Sequence, residues 1–280
     1  MKKVAIQGVA GAYHDIAARS FFEEEDIEIV DCHTFKDVFA TMRKDNNILG
    51  IIAIENTIAG NLLPNHNLLR ESDTSIIGEF KLRISHVLAV LPGQTFKDIV
   101  EVHSHPIALM QCEDFLKDHP EWKAVESEDT ALSAKEIVEK NITGRAAICS
   151  KRAAEIYGLE ILESGIETNK RNFTRFLIVA DRWTADQYAN PSDSNKSSIV
   201  FMTKHEEGTL SQVLSVLSFY HNNLTKIQSM PIIGHEWEYL FFIDLTFDDY
   251  MKYKQSLDAI RPLTKNLRVL GEYKIGRQLI

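Results

Sequence analysis

Apolar and polar positions along the first part of the chain follow a pattern that predicts strands alternating with amphipathic helices. The run Gly50–Ile54 is apolar throughout, as in a strand that a parallel sheet buries on both faces. Short strand–helix units of this kind indicate an α/β layer structure with right-handed crossovers. Before residue 60 the pattern predicts strands at Val4–Gln7, Ile27–Cys32 and Gly50–Ile54 and helices at Ala12–Phe22 and Phe35–Asp45.

The same alternation continues to residue 180 and predicts two α/β lobes, about 1–79 with 160–183 and about 80–159. A bilobed, periplasmic-binding-protein-like domain of this kind encloses a cleft, which is a common small-molecule site. The elements predicted here are strands at Ser85–Leu91, Ile99–His103, Lys123–Val125, Ala146–Cys149 and Asn172–Ala180 and helices at Ile107–Lys117 and Thr130–Lys140.

Several helix starts in these lobes carry capping signals. Thr34 and Asp37 have the spacing of a capping box, and Pro106 suits the first turn of the helix that follows it. Asp129 and Ser150 are N-cap residue types immediately before helical segments.

The last third of the chain has a different organisation. Residues 184–197 are polar and rich in turn formers, which predicts a linker between a domain at 1–183 and a second domain at 198–280. The second domain has the β-α-β-β-α-β order of a ferredoxin-like unit. Its predicted elements are strands at Ser198–Thr203, Leu224–Ile233, Glu238–Phe247 and Leu267–Tyr273 and helices at Thr209–Asn222 and Tyr250–Leu263.

Composition limits the possible functions. The 280 residues carry a net charge of −9, which argues against nucleic-acid binding and means that an anionic substrate needs a local group of positive charges. Three cysteines, Cys32, Cys112 and Cys149, form no CxxC pair, so neither a disulfide framework nor a zinc site is indicated. Gln7 and Gly8 cut short the apolar run at the start, and no apolar run is long enough to span a membrane, so we expect a cytoplasmic protein without a signal peptide.

Four short polar segments stand at predicted strand ends or helix starts, where α/β folds place their sites. Each alone is more typical of a cap or a turn. His103 and His105 would project to one side of a strand, but no paired ligand motif accompanies them, so a cap and a satisfied polar contact are favoured over a metal site. The segments are Glu55-Asn56-Thr57, Ser104-His105-Pro106, Asp129-Thr130-Ala131 and Asn172-Phe173-Thr174-Arg175-Phe176.

Together these segments resemble the motifs of the prephenate dehydratase family, in the family's order. Thr174-Arg175-Phe176 resembles its Thr-Arg-Phe signature, and Ser104-His105-Pro106, with Gln111 at the expected distance, resembles its Ser-His-Pro segment. Ile54-Glu55-Asn56-Thr57 is similar to its Glu-Asn-Ser motif. Three positions depart from the family: His14 and Thr57 stand where serine is usual, and Ile107 replaces a frequent glutamine.

The resemblance implies conversion of prephenate to phenylpyruvate without a cofactor or metal. Thr174 would hydrogen-bond the departing hydroxyl, Glu55 could supply its proton, and Arg175 would grip a carboxylate. A helix N-terminus near His105 would hold the second carboxylate. These roles require Thr174, Asn56 and Gln111 to meet in one crevice. The implied catalytic set is Thr174, Glu55, Asn56, Ser104 and Gln111, and the implied substrate-binding set is Thr57, His105, Asn172, Arg175 and Phe176.

The C-terminal domain resembles the ACT regulatory domain often attached to this family. The resemblance implies L-phenylalanine as a feedback effector bound between paired copies, and therefore a homodimer or tetramer. Gln228 and Met230 replace both charged residues of the family's Glu-Ser-Arg-Pro motif, which weakens the expected affinity. The implied effector-binding residues are Gly208, Thr209, Leu210, Gln228, Ser229 and Pro231.

Three other functions are also compatible with the sequence. An arogenate dehydratase acts on the amino-acid counterpart of the same ring and is not separated by sequence. A non-catalytic binding protein would also use a bilobed cleft. A metal-dependent hydrolase would use His103 and His105 and would contain zinc.

Overall fold

The computed structural model describes residues 1–23, 25–203, 206–232, 234 and 238–279. Two compact units account for the chain. Unit 1 comprises Met1–Leu62, Phe80–Phe176 and Gln278–Ile280, and unit 2 comprises Leu63–Glu79 and Leu177–Arg277. The division therefore differs from the predicted one at 184–197, because the segment Leu63–Glu79 groups with the C-terminal residues.

The helices and strands follow the predicted alternation, with some additions. The first eight elements are β1 (Lys2–Gln7), α1 (Tyr13–Phe21), β2 (Ile27–Cys32), α2 (Phe35–Lys44), β3 (Leu49–Asn56), β4 (Gly60–Asn61), α3 (Leu63–Glu71) and β5 (Thr74–Arg83). The next group is β6 (Val87–Val90), β7 (Glu101–Ser104), α4 (Pro106–Gln111), α5 (Glu113–Lys117), β8 (Lys123–Glu126), α6 (Thr130–Glu139), β9 (Arg145–Cys149), α7 (Lys151–Tyr157) and β10 (Glu160–Ser164). The last group is β11 (Phe173–Asp181), α8 (Arg182–Tyr188), β12 (Lys196–Thr203), α9 (Thr209–Phe219), β13 (Asn223–Pro231), β14 (Tyr239–Thr246), α10 (Tyr250–Ile260), β15 (Thr264–Tyr273) and β16 (Gln278–Leu279).

Seven strands form the first sheet, in the order β16-β5-β11-β3-β1-β2, with the short β4 paired to β3. β1 lies parallel to both β2 and β3, as expected for strand–helix–strand units. β3 is buried along almost its whole length, which confirms the prediction made from its apolar run.

A second sheet lies wholly in unit 1, in the order β10-β6-β9-β7-β8. β7 pairs in parallel with β8 and β9, whereas β6 pairs antiparallel with β9 and β10. Two buried clusters include alternating residues of β9: Ala147 and Cys149 belong to one, and Ala146 and Ile148 to the other. This alternation places one cluster on each face of the sheet.

Unit 2 contains an antiparallel sheet in the order β13-β14-β12-β15. Its elements from β12 to β15 follow the predicted β-α-β-β-α-β series, although the last residue of the predicted strand Leu224–Ile233 lies outside the described residues. α9 and α10 cover this sheet through a core whose members are Ile199, Phe201, Val213, Leu217, Ile243, Leu245, Phe247, Tyr253, Leu257 and Ile260.

The predicted caps are confirmed. Thr34 and Asp37 form a complete capping box at α2, and Asp129 and Ser150 accept backbone N–H bonds at the starts of α6 and α7. The first residues of the predicted linker, 184–188, belong to α8, whose N-cap Asp181 accepts a bond from the backbone of Trp183. No helix among the described residues is long and apolar enough to cross a membrane.

Candidate active site

A cavity of about 370 Å³ in unit 1 is lined by residues from all four polar segments. Elements of both sheets contribute, because Asn56 ends β3, Gln111 ends α4, Asp129 caps α6 and Thr174 lies near the start of β11. A larger cavity of about 770 Å³ in unit 2 contains none of the predicted site residues. The smaller cavity is lined by Gln7, Tyr13, His14, Phe35, Ala53, Asn56, Ala59, Leu62, Ile84, His86, His105, Ile107, Ala108, Gln111, Asp129, Thr130, Thr174 and Phe176.

Asn56 stands at the centre of the polar contacts. Its Oδ1 accepts hydrogen bonds from the backbone N–H groups of Ile58 and Ala59, at 2.9 and 2.8 Å, so the amide orientation is fixed. Its Nδ2 therefore donates, to Asn172 Oδ1 at 2.8 Å and to Thr174 Oγ1 at 2.9 Å. Since the Thr174 oxygen accepts this bond, its own O–H remains able to donate to a molecule in the cavity.

Gln111 extends this network to the opposite wall. Its Nε2 lies 3.5 Å from Asn56 Oδ1, and its Oε1 lies 3.0 Å from His86 Nε2. The other imidazole nitrogen, His86 Nδ1, is 2.8 Å from the Tyr13 hydroxyl, which also lies 2.7 Å from the carbonyl oxygen of Ser85. Asn56, Gln111 and Thr174 thus converge in one cavity, as the sequence interpretation required.

Burial sets the charge of the titratable groups around the cavity. Desolvation lowers the pKa of His14 to about 3 and also lowers the pKa values of His86 and His105. Desolvation raises the pKa of Asp129, although backbone N–H bonds from Leu132 and Ala131 oppose the shift. The histidines are therefore uncharged at neutral pH.

Arg175 and Glu55 do not line the cavity. Side chains alternate along a strand, so Thr174 and Phe176 face one side of β11 and Arg175 faces the other. Arg175 is buried, with its guanidinium 3.7 Å from a carboxylate oxygen of Glu55. Neither side chain borders the cavity, so the carboxylate-gripping role of Arg175 and the proton-donating role of Glu55 stay predictions.

Three further predicted residues have structural contacts. The fully buried Ser104 donates its hydroxyl proton to the Ile148 carbonyl at 2.6 Å and is absent from the lining. Thr57 donates to the Arg171 carbonyl and accepts from the Phe173 backbone, and Asn172 receives the Asn56 bond. These contacts hold the loop that positions Asn56 and Thr174.

His105 and His103 make the contacts expected of a cap and a polar pair. His105 Nδ1 accepts the backbone N–H of Ile107 at the start of α4, and His103 Nε2 lies 3.0 Å from a Glu101 carboxylate oxygen. α4 has only six residues, so its dipole is small. Throughout the described residues there is no group of three or more His, Cys, Asp or Glu side chains that could hold a metal ion.

Sequence reasoning did not select Tyr13 or His86, and it noted His14 only as a departure. None of the three belongs to one of the four polar segments, and a histidine or tyrosine outside a motif is usually a satisfied core residue. Their partners lie far away along the chain: Tyr13 and His86 are 73 positions apart.

The predicted effector residues fall into two groups in unit 2. Gly208, Thr209 and Leu210 line a cavity of about 540 Å³ at the start of α9, together with three glutamates. Gln228, Ser229 and Pro231 lie on β13 and do not belong to that lining. The glutamates are Glu206, Glu207 and Glu238.

Comparisons with a family model and with known proteins indicate the same family. The family model described as prephenate dehydratase matches residues 4–183. The bifunctional chorismate mutase/prephenate dehydratase of Escherichia coli (strain K12) is 30% identical over 277 residues, covering 97% of this chain and 70% of the relative. Arogenate dehydratase 3, chloroplastic, of Arabidopsis thaliana is 36% identical over 291 residues, covering 97% of this chain and 66% of the relative.

Solved structures with the same fold include two with a TM-score of 0.85. One, described as GqqA, a novel type of quorum quenching acylases, is 28% identical and covers 98% of both chains. The other is prephenate dehydratase in complex with L-Phe from Arthrobacter aurescens, 24% identical, covering 97% of this chain and 90% of that one. The family model and the Escherichia coli relative together show that this chain belongs to the prephenate dehydratase family.

Proposed function

We propose that this chain is a prephenate dehydratase that converts prephenate to phenylpyruvate, carbon dioxide and water. The ring carboxylate leaves as carbon dioxide, the electron pair of the broken carbon–carbon bond enters the ring, and the ring hydroxyl departs. One proton is consumed, because the departing hydroxide leaves as water. The observation that carries this proposal is the Thr174 hydroxyl, which accepts a bond from Asn56 and can direct its proton into the cavity.

Thr174 acts as a hydrogen-bond donor to the departing oxygen. A threonine hydroxyl is too weak an acid to give up its proton, so the bond stabilises developing negative charge on that oxygen. Asn56 holds the threonine oxygen in place. Asn172 and Gln111 in turn hydrogen-bond Asn56, and Gln111 also faces the substrate. Phe176, His105 and Thr130 complete the walls around the ring.

The walls of the cavity favour loss of the ring carboxylate. The apolar surface of the cavity is formed by Phe35, Ala53, Leu62, Ile84 and Phe176. Such a surface destabilises the localised charge of the carboxylate more than the delocalised charge of the transition state, and this difference lowers the barrier to decarboxylation. The described lining includes no lysine or arginine. We assign the electrostatic role instead to His86 and His105, whose pKa values an entering dianion would raise toward the charged form.

The test is a pair of substitutions at Thr174, because valine has the same shape without the hydroxyl and serine keeps it. We expect Thr174→Val to lower kcat for phenylpyruvate formation by roughly 10²–10⁴ and Thr174→Ser to retain most of it. Phenylpyruvate is measured by its ultraviolet absorbance, with arogenate assayed in parallel. Wild-type protein that turns over arogenate but not prephenate would replace the proposal by its closest rival, and normal turnover by Thr174→Val would remove the assigned role.

We further propose that 1–183 forms a bilobed catalytic domain and 198–280 an ACT regulatory domain that binds L-phenylalanine in a homodimer or tetramer. The β-α-β-β-α-β order and the cavity at the start of α9 support the second part. Gly208 has no side chain to cap α9, so its first-turn N–H groups suit a carboxylate. The three glutamates in the lining suit an ammonium group.

Calorimetric titration with L-phenylalanine, paired with inhibition of prephenate turnover, checks this regulatory proposal. We expect L-phenylalanine below millimolar concentration to give a heat of binding and to inhibit turnover. D-phenylalanine should do neither, because with its carboxylate and ring in the same positions its ammonium group would point away from the glutamates. Absence of both effects with millimolar L-phenylalanine would contradict it.

A further inference from the structure

His14 has an unusual environment in the catalytic cavity. Its side chain is only 9% exposed, and its Nε2 has no hydrogen-bond partner among the described residues. The ring packs edge-on against Phe35 and Phe176, with centroid distances of 5.3 and 5.0 Å. Buried polar atoms are nearly always paired, so an unpaired imidazole nitrogen in an apolar cage requires an explanation.

The fold holds this ring in place. His14 is the second residue of α1, and the first turn of that helix is tied down by Asp15, which accepts the Gly11 backbone N–H at 2.8 Å. Asp15 also pairs with Arg19 and Arg152. The imidazole is therefore presented to the cavity by a well-anchored helix start.

The position of His14 relates it to the proposed chemistry. Thr174 and Phe176 are two residues apart on β11, so both side chains face the cavity. The His14 ring contacts Phe176 and lines the same cavity as Thr174. A substrate whose departing oxygen meets Thr174 would lie against the imidazole.

We propose that His14 contacts the substrate directly, with Nε2 hydrogen-bonded to a substrate oxygen beside the Thr174 hydroxyl. This inference rests on the proposed function, since the oxygen is one of those carried by prephenate. The bond completes the pairing that the fold leaves open, and it gives this chain a polar contact at a position where the family usually has serine. A packing role alone would be served better by leucine or phenylalanine, neither of which leaves a nitrogen unpaired.

The charge state of His14 fits a neutral donor. Burial, helped by nearby His105, lowers the pKa of His14 to about 3, so the imidazole carries one N–H at neutral pH. The other titratable groups that line the cavity are Tyr13, His86, His105 and Asp129. Because His14 stays neutral, the pH dependence of kcat/KM is set by these other groups and not by His14.

Three substitutions test the proposal. Glutamine places an amide nitrogen near the position of Nε2, leucine fills the cage without a polar atom, and serine removes the ring without overpacking. We expect His14→Leu and His14→Ser to lower kcat/KM for prephenate by about 10- to 100-fold and His14→Gln to remain within about threefold of wild type, with an unchanged pH profile. We also expect His14→Leu to keep or raise Tm, because it removes an unpaired buried nitrogen.

The outcomes separate this inference from the proposed function. Wild-type kcat/KM in both His14→Leu and His14→Ser would overturn the contact while leaving the dehydratase assignment intact. Equal loss in all three variants, together with a lowered Tm, would show a structural role instead. If wild-type protein does not turn over prephenate, calorimetric binding of prephenate to the same variants still measures the contact.

Discussion

At the scale of single residues, the hydrogen-bond chain behind Thr174 fixes the orientation of each member. Asn56 Oδ1 accepts two backbone N–H groups, so Gln111 presents its nitrogen to Asn56 and its oxygen to His86. His86 Nε2 must then carry a proton. Since burial lowers the pKa of His86, its Nδ1 is unprotonated at neutral pH, and the single Tyr13 O–H proton is shared between Nδ1 and the Ser85 carbonyl.

Tyr13→Phe tests this chain. The substitution keeps the ring that packs on His86 and removes the donor shared by His86 Nδ1 and the Ser85 carbonyl. Because two buried acceptors lose their partner, we expect the free energy of unfolding to fall by about 1–3 kcal/mol. We also expect kcat/KM for prephenate to fall about tenfold, because His86 no longer holds Gln111. Urea unfolding and the phenylpyruvate assay measure the two effects.

Tyr220→Phe is the matched control. Its hydroxyl makes no hydrogen bond among the described residues and lies in unit 2, so we expect no change in stability beyond about 0.5 kcal/mol. Unchanged unfolding and turnover in Tyr13→Phe would show that the hydroxyl does not order the cavity.

The same scale shows how far the sequence predicted the site. Asn56, Gln111 and Thr174 were selected because their segments together resemble the motifs of one family, and they meet in the cavity. Arg175 and Glu55 were selected from the same motifs, because a guanidinium can grip a carboxylate and a carboxyl group can supply a proton. Neighbours on a strand face opposite sides, however. Motif membership thus identified the segments, whereas the backbone geometry decided which side chains reach the cavity.

At the scale of elements, local signals predicted helix starts better than helix ends. The predicted helix Ile107–Lys117 is divided at Cys112 into α4 and α5. The division follows from Thr168, whose N–H donates to the Gln111 carbonyl at 2.8 Å and whose hydroxyl accepts the Asp114 N–H. These partners are more than 50 residues away, so no local pattern could indicate them. The break places Gln111 at a helix end, where its side chain reaches Asn56.

Two of the elements that the sequence did not predict, α3 and β5, have a different explanation. α3 contains buried Asn65 and His66 at positions where an amphipathic helix usually has apolar residues, so its pattern does not predict a helix. β5 does alternate, but Glu79 is among its buried residues, and a buried glutamate is rare without a partner. In both cases the apolar pattern failed because polar side chains are paired inside the fold.

At the scale of the whole molecule, distant contacts explain why Leu63–Glu79 groups with the C-terminal residues. Arg268 donates to the carbonyls of Arg70 and Thr74, at 2.7 and 3.0 Å. A side chain at Gly271 would come within 2.3 Å of the Ile76 carbonyl oxygen, so only glycine allows the backbones to approach this closely. These pairs are separated by nearly 200 positions, which is why the sequence predicted one boundary at 184–197 instead.

The ion pair between Glu79 and Lys196 tests this grouping. Lys196 Nζ lies 2.9 and 2.8 Å from the two carboxylate oxygens of Glu79, and the residues are only 4% and 1% exposed. Removing one charge from a buried pair leaves the other without compensation, which costs about 3–5 kcal/mol. We therefore expect Lys196→Met to lower the free energy of unfolding by that amount, measured by urea unfolding.

Lys117→Met is the matched control for Lys196→Met. Lys117 pairs with Glu113 at 2.9 Å, a contact as short as the buried one, but both side chains are more than 60% exposed, so we expect no measurable loss of stability. In the double variant Glu79→Gln/Lys196→Met the buried carboxylate charge is also absent, so part of the lost stability should return. An equal, small effect of Lys196→Met and Lys117→Met would mean that the buried pair does not hold Leu63–Glu79 to the C-terminal sheet.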